Sequence, residues 1–413
     1  MNSFFQKLFL FLFPFYPLLA WAIHFVSSKR LEFLLNILFI PVVLYLLSTS
    51  ARRFPKYLTC FIIFTAFHIF SAFYNNAMPK GINPVYFVLA DVNVYACLLL
   101  IIAEHTFFDD RFIRIMNRNI FLIVIISVVV SLIQIKDPTF FYNTSIDKDL
   151  MFVEEGESRN TSIYTWAGQN SGGITFPILI AIMLNYHPVN SFSFLFIVLS
   201  GIVVSFLSKA RYAMISMLVV FSQLFFSGKK SVSYLISMAT VFIISLGLII
   251  FIAGEVGFNI DEVISQRILE KDSDMASARA RITSYKVFMI KFPEHPWLGV
   301  GPETREDVLR LLGGEAPMIH VGYLSYLYYY GVIGCFFFFL AVFFLLKQAW
   351  QVGRRFEFWA AFYGLISFLL ANVTLVNFHL GEMGIVLLVI YMRYYLTTDT
   401  ENEFATEQIS YSN

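Results

Sequence analysis

Four positively charged or titratable positions in this chain combine side-chain types that suit one kind of reaction. Arg211 follows "SFLSKA" and opens an apolar run, Arg279 and Arg281 stand near the start of "ARARITSYKVFMIKF", and His320 lies where a charged segment gives way to "VGYLSYLYYYGVIG". An arginine presents planar, permanently charged N–H forks that match the non-bridging oxygens of a phosphate. A histidine titrates near neutrality and can take the proton of an attacking hydroxyl. Together they suit transfer of a group from a lipid pyrophosphate to an alcohol. Each also has a plainer reading: Arg211 as a snorkelling helix anchor, Arg279 and Arg281 as solvated charges, His320 as a satisfied boundary residue.

The surroundings of His320 sharpen the question. Leu327 and Gly331 fall on its helical face with Gly334 nearby, and glycines there leave room for a second helix, a lipid or a substrate. Tyr323, Tyr326 and Tyr330 share an adjacent face and offer hydroxyls, although tyrosines at a membrane surface commonly form an aromatic belt. In "NFHLGEMG", His379 and Glu382 sit in a short turn, where Glu382 either orients a histidine or sugar hydroxyl or simply caps a helix. Asp91 in "VLADVNVYACLLL" is an intramembrane carboxylate with Asn93 beside it, suited either to function or to pinning two helices. The outer loops contain no His/Cys cluster at metal-ligand spacing. The expected chemistry is therefore metal-independent and cofactor-free, with arginine in place of a divalent cation.

These residues need a scaffold, and composition says which kind. The chain is 58% hydrophobic and 14% charged with 48 Phe, and its mean hydropathy is +0.71. Too few polar side chains remain to cover a soluble fold. Apolar runs of about 17–25 residues recur, each long enough to cross a bilayer as a helix, rather than the ~10-residue alternating segments of a barrel. The expectation is an all-α polytopic membrane protein, 1–413 forming a single transmembrane domain. Twelve spans are predicted near 4–27, 31–49, 57–74, 84–103, 119–135, 171–185, 192–208, 212–227, 232–253, 319–346, 356–377 and 382–396. The first run contains Ala20-Trp21-Ala22, which resembles a signal-peptidase site, but it continues to spanning length and reads as a retained helix. Cys60, Cys97 and Cys335 all lie within apolar runs and read as packing residues. A net charge of +1 with scattered basic residues implies no nucleic-acid partner.

Lys and Arg in short loops orient the bundle. With a cytoplasmic N-terminus, the inner segments carry Lys7, Arg52, Arg53, Lys56, Arg111, Arg114, Arg118, Lys229, Lys230, Lys347, Arg354, Arg355 and Arg393. The outer ones carry Lys29, Arg30, Lys80, Lys209 and Arg211. Both termini are then cytoplasmic, 397–413 is a polar cytoplasmic tail, and residues 136–170 and 254–318 are outer loops. The second holds eight Lys/Arg and eleven Asp/Glu, so its field is mixed. It reads as two amphipathic helices over the outer mouth. One spaces Ile282, Tyr285, Phe288 and Met289 at helical intervals, and the other, "ETREDVLRLL", is ended by Gly313 and Gly314. Between them "PEHPWLGVGPE" is a Pro/Gly turn, with Trp297 and Leu298 available to the membrane interface.

At these residues the chain resembles the bacterial O-antigen ligase and O-antigen polymerase superfamily. The matching pieces are "LSKARYAMIS" (207–216), like the family's Ser/Thr-x-Arg helix start, and "ARITSYKVFMIKFPEHPWLGVGPE" (280–303), like its Arg, helix and Pro-x-x-Gly-x-Gly segment. The third is "MIHVGYLSYLYYYGVIG" (318–334), like its His-Asn-x-x-Leu and Gly-x-x-Gly run. The resemblance implies a GT-C-like bundle of about 12 helices in the inner membrane, with a long periplasmic loop between spans nine and ten. It implies an undecaprenyl-pyrophosphate-linked glycan donor held by Arg211 and Arg281, and His320 activating the hydroxyl of a glycan or lipid A-core acceptor. Membrane lipids and a chain-length regulator protein are the other partners it suggests. The family's Asn after the histidine is Val321 here, which puts the acceptor contacts in doubt. Repeat-unit polymerase is the expected activity, with ligase as its close alternative. A transporter or flippase is the rival of another class, but no inverted repeat is evident.

Overall fold

The computed structural model describes residues 4, 7–8, 10, 13–19, 22, 55–77, 109–137, 140–141, 162–164, 168–189, 191–208, 210–226, 231–256, 276–302, 306–313, 319–373, 378 and 383–396. Their elements are helical. In chain order they are α1 (Lys56–Tyr74), α2 (Asp110–Lys136), α3 (Gly168–Tyr186), α4 (Phe192–Leu207), α5 (Arg211–Phe226) and α6 (Val232–Val256). They continue with α7 (Ala276–Lys291), α8 (Glu306–Leu312), α9 (Gly322–Phe356) and α10 (Ala360–Ala371), followed by α11 (Met383–Leu396). Three of them, α1, α2 and α9, are long and apolar enough by length and composition to cross a membrane. The predicted spans 31–49 and 84–103, and with them Asp91 and Cys97, lie outside the described residues, as does 397–413. Cys60 and Cys335 are buried free thiols, as expected of packing residues.

Local chemistry sets the helix ends. Asp109 caps α2 by accepting the Phe112 N–H at 2.7 Å, so the helix begins nine residues before the predicted 119, and Lys136 sits in its last turn. Ser191 caps α4 through the Phe194 N–H at 3.1 Å. Two corrections concern length. The predicted span at 356–377 contains a helix of only 12 residues, α10. The predicted span at 319–346 is the start of a 35-residue helix, α9, which is broken inside at Gly331.

Two helices form the centre. Residues 383–392 of α11 and 174–184 of α3 are buried on every side, which is how a uniformly apolar helix behaves inside a bundle. Gly384 and Gly364 let them close: a Cβ on Gly384 would meet Ile178, and one on Gly364 would meet Leu388 at 2.8 Å. α5 and α10 pack against each other and against α3, while α1 lies along α9. The α1–α9 seam is aromatic, with Phe64 against Tyr326, Tyr330 and Phe338.

Hydrogen bonds give each helix a direction. Asn185, at the end of α3, donates to Gln223 near the end of α5 at 3.0 Å, and Tyr186 meets Tyr395 of α11 hydroxyl to hydroxyl at 3.1 Å. Gln223 and the start of α10 at Phe358 and Trp359 line one cavity, so α5 and α10 are antiparallel. The start of α2 joins the same end through Asp110–Tyr394 and Asn117–Tyr391 contacts. The opposite end therefore gathers the starts of α3, α5 and α11 with the ends of α1, α2 and α10. Tyr323 places the start of α9 there as well, because its hydroxyl donates to the Leu369 carbonyl of α10 at 2.9 Å.

Candidate functional site

The end defined by the start of α9 carries the residues singled out for chemistry. Arg211 is the first residue of α5, and its neighbour Tyr212 lies over Gly173 near the start of α3. Arg279 and Arg281 lie in the first two turns of α7. The side chains of Arg211 and Arg279 lie outside the description, as do His379 and Glu382. Arg281 and His320 are both half-buried.

Two attachments hold the arginine helix to the histidine helix. The first is a single hydrogen bond: the His320 backbone N–H donates to Ser284 Oγ at 2.8 Å. Ser284 is fully buried, and Arg281 lies one helical turn before it on the same face. A small polar residue thus occupies the packing face of α7, alongside Ala280, Val287 and Phe288. This corrects the expected apolar face. Of the four residues named for it only Phe288 is buried, while Ile282, Tyr285 and Met289 point outward. The physical reason is that α7 is seated by a hydrogen bond to the α9 terminus rather than by its larger apolar stripe. Ser284→Ala removes the acceptor of that N–H, which is expected to cost about 1–3 kcal/mol. Faster proteolysis between α7 and α9, with the rest of the chain intact, is the readout.

The second attachment lies in the Pro/Gly turn. In an uninterrupted α9, the Val332 and Ile333 N–H groups would bond the Tyr328 and Tyr329 carbonyls. Here Gly331 has φ 61° and ψ −170° and opens those two rungs. The 296–301 segment enters the gap: Val332 N–H donates to the Pro296 carbonyl at 2.9 Å and Ile333 N–H to Trp297 at 3.2 Å. From the other side, Val300 N–H donates to the Tyr328 carbonyl at 3.1 Å and Gly301 N–H to Tyr329 at 2.9 Å. Each lost rung is replaced by two bonds. Unpaired backbone groups in a membrane cost several kcal/mol each, so a broken helix persists only where protein satisfies it.

The glycines of Pro296-x-x-Gly299-x-Gly301 follow from this geometry. Gly299 has φ 67°, and a Cβ there would lie 2.3 Å from the Tyr329 carbonyl oxygen. Gly301 has φ 91° and faces Ala77 beyond the end of α1. Gly331 and Gly334 therefore do not leave room for a substrate. Trp297 backbone fills the space at Gly331, and Phe67 of α1 fills that at Gly334. The tyrosines are committed too: Tyr323 to Leu369, and Tyr326 and Tyr330 to the aromatic seam with Phe64.

A salt bridge frames the turn. Lys291 at the end of α7 reaches Asp307 of α8 at 2.6 Å and Glu294 at 3.0 Å. The Asp307 and Glu294 carboxylates raise the Lys291 pKa, and hydrogen bonding from Lys291 lowers that of Asp307. The lysine's contribution is complete below its ordinary value of about 10.4 and fades only as pH rises through its raised one. That of the aspartate is complete above its ordinary value of about 3.9 and fades as pH falls through its lowered one. The α7–α8 clamp should therefore be constant from about pH 5 to 9. Proteolysis of the segment between the two helices should stay flat across that window and accelerate below about pH 4 and again in strong alkali, where Lys291 loses its proton.

Fold and site define a helical membrane protein with Arg281 one helical turn from the hydrogen bond that ties α7 to the His320 backbone at one end of its bundle. Residues 194–339 match the family model described as O-antigen ligase. That window begins in α4 and contains Arg211, Arg279, Arg281, the 296–301 turn, His320 and the break at Gly331, and it bears out the resemblance to the O-antigen ligase and polymerase superfamily. No curated protein matches the chain.

Proposed function

We propose that the chain is a glycosyltransferase of the bacterial inner membrane that polymerises undecaprenyl-pyrophosphate-linked repeat units on the periplasmic side. The observation that supports the reading is the Ser284–His320 hydrogen bond, which ties the His320 backbone to α7 one helical turn from Arg281. Charge distribution supports the sidedness: Arg111, Arg114, Arg354, Arg355 and Arg393 belong to the other end, the end that the positive-inside rule assigns to the cytoplasm. The outward apolar residues of α7, with Trp297 65% exposed, suit an interfacial helix at the outer leaflet.

The step would be an in-line displacement. The acceptor oxygen bonds to the anomeric carbon as the bond from that carbon to the pyrophosphate oxygen breaks, which inverts the centre. His320 takes the acceptor's proton, and Arg211 and Arg281 neutralise the charge gathering on the departing lipid pyrophosphate. Arginine then does the work that a divalent cation performs elsewhere. Arg279 would add charge at the rim, and His379 and Glu382 would assist from the α10–α11 turn.

Purified protein in vesicles, given lipid-linked repeat units with or without lipid A core, tests the assignment. Extension of the donor glycan supports the polymerase. Glycan appearing on lipid A core without extension would replace it with the ligase, and no transfer to either acceptor would contradict the reading.

A further inference from the structure

A second polar cavity lies at the far end of the bundle from His320. Helix α9 runs 35 residues from one to the other, on the order of 50 Å at 1.5 Å per residue. The cavity is about 680 Å³, within the usual range for small-molecule sites. Its lining includes Asn185, Gln223, Tyr234, Glu357, Trp359 and Tyr395, from six different helices or their ends. No Lys or Arg is among the described residues that line it, and the lining histidine, His187, has its pKa lowered by burial. Among the described lining residues, one carboxylate and three aromatic rings that carry a polar atom stand without a Lys or Arg. Such a set favours a cation, through an ion pair and through the negative ring faces.

The rim has the opposite sign. Glu357 follows the last turn of α9, which carries the exposed Arg354 and Arg355, with the Arg355 guanidinium 5.6 Å from the Phe356 ring. A cation socket with an arginine rim, at the end of membrane-spanning helices, matches a zwitterion that carries an ammonium group a few atoms from a phosphate. We propose that this cavity binds the headgroup of an aminophospholipid, its primary ammonium held by Glu357 among Tyr234, Trp359 and Tyr395, and its phosphate by Arg354 and Arg355. The site is independent of the reaction assigned to the opposite end.

Native mass spectrometry of the full-length protein tests it, with equimolar phosphatidylethanolamine, phosphatidylcholine and phosphatidylglycerol of identical acyl chains. The expected result is retention of phosphatidylethanolamine about tenfold over phosphatidylglycerol, the ratio given by an ion pair plus a cation–π contact of roughly 1.4 kcal/mol together, and by a smaller margin over phosphatidylcholine, whose quaternary ammonium has no N–H to donate to Glu357. Glu357→Gln should erase that preference, and Glu357→Lys, which places an ammonium in the socket, should do so as well. Competition by soluble glycerophosphoethanolamine at millimolar concentration separates a headgroup site from adhesion of acyl chains: displacement supports the proposal, and failure to displace counts against it. Equal retention of the three lipids by the wild-type protein would overturn it whatever the variants do.

Discussion

Replacing His320 with alanine is expected to lower glycan transfer by about 10²–10⁴-fold, the usual contribution of a positioned general base, while leaving the folded bundle intact. Fold should survive because the bond that seats α7 on α9 uses the His320 backbone N–H, which alanine keeps. Arg281→Ala should lower transfer by about 10²–10³-fold, as loss of one preorganised charge-stabilising donor does. Arg281→Lys should recover only part of that loss, since an ammonium keeps the charge without the bidentate fork. The rate of transfer by purified protein at saturating donor is the measurement, with thermal stability as control. Wild-type turnover in both alanine variants would remove these residues from the chemistry.

The second large effect concerns the break in α9. Gly331→Val is expected to abolish transfer and to destabilise the α7–α9 unit. A β-branched residue is strained at φ 61°, and its Cβ would lie 2.4 Å from the Trp297 carbonyl. Relief would require either closing the two rungs of α9, which expels the 296–301 segment, or moving that segment bodily. Either outcome strips partners from four backbone groups and releases α7 from its second attachment. Gly299→Ala should follow the same course through the Tyr329 carbonyl, 2.3 Å away. Loss of protease protection at 292–302 is the direct readout, and unchanged protection in both variants would show that the insertion does not hold the loop.

Which parts of this arrangement are legible in the sequence follows from how local their causes are. α7 and α8 can be read from apolar spacing and from Gly313, which has φ 62° and ends α8. The helical path of the described membrane segments follows from apolar runs alone, and helix starts at 192 and 211 agree with the predicted 192 and 212. The break at Gly331 cannot be read the same way. A glycine inside an apolar run is compatible with a continuous helix, and what opens this one is a segment 30 residues earlier whose N–H and C=O groups replace its own. The signal available was joint: Pro296, Gly299 and Gly301 make a turn with positive φ, and Gly331 supplies the site that receives it. The buried face of α7 was missed for a related reason. Apolar periodicity cannot rank Ser284 above Ile282, because the partner of Ser284 is a backbone N–H just before another helix. For the site itself, residue types pointed to Arg281 and His320, but their closeness comes from Ser284 and the inserted turn. Tyr323, Tyr326 and Tyr330 looked like substrate contacts because hydroxyl spacing does not reveal that an aromatic seam and the Leu369 carbonyl already hold them.

The central claim is that Arg281 and His320 act as one unit on one donor. A double-mutant cycle on single-turnover transfer from the purified lipid-linked donor tests it most directly. The account predicts that Arg281→Ala combined with His320→Ala is scarcely slower than the slower single variant, because groups acting in one transition state are strongly non-additive. Losses that multiply, so that the double variant falls by the product of the two single effects, would contradict it.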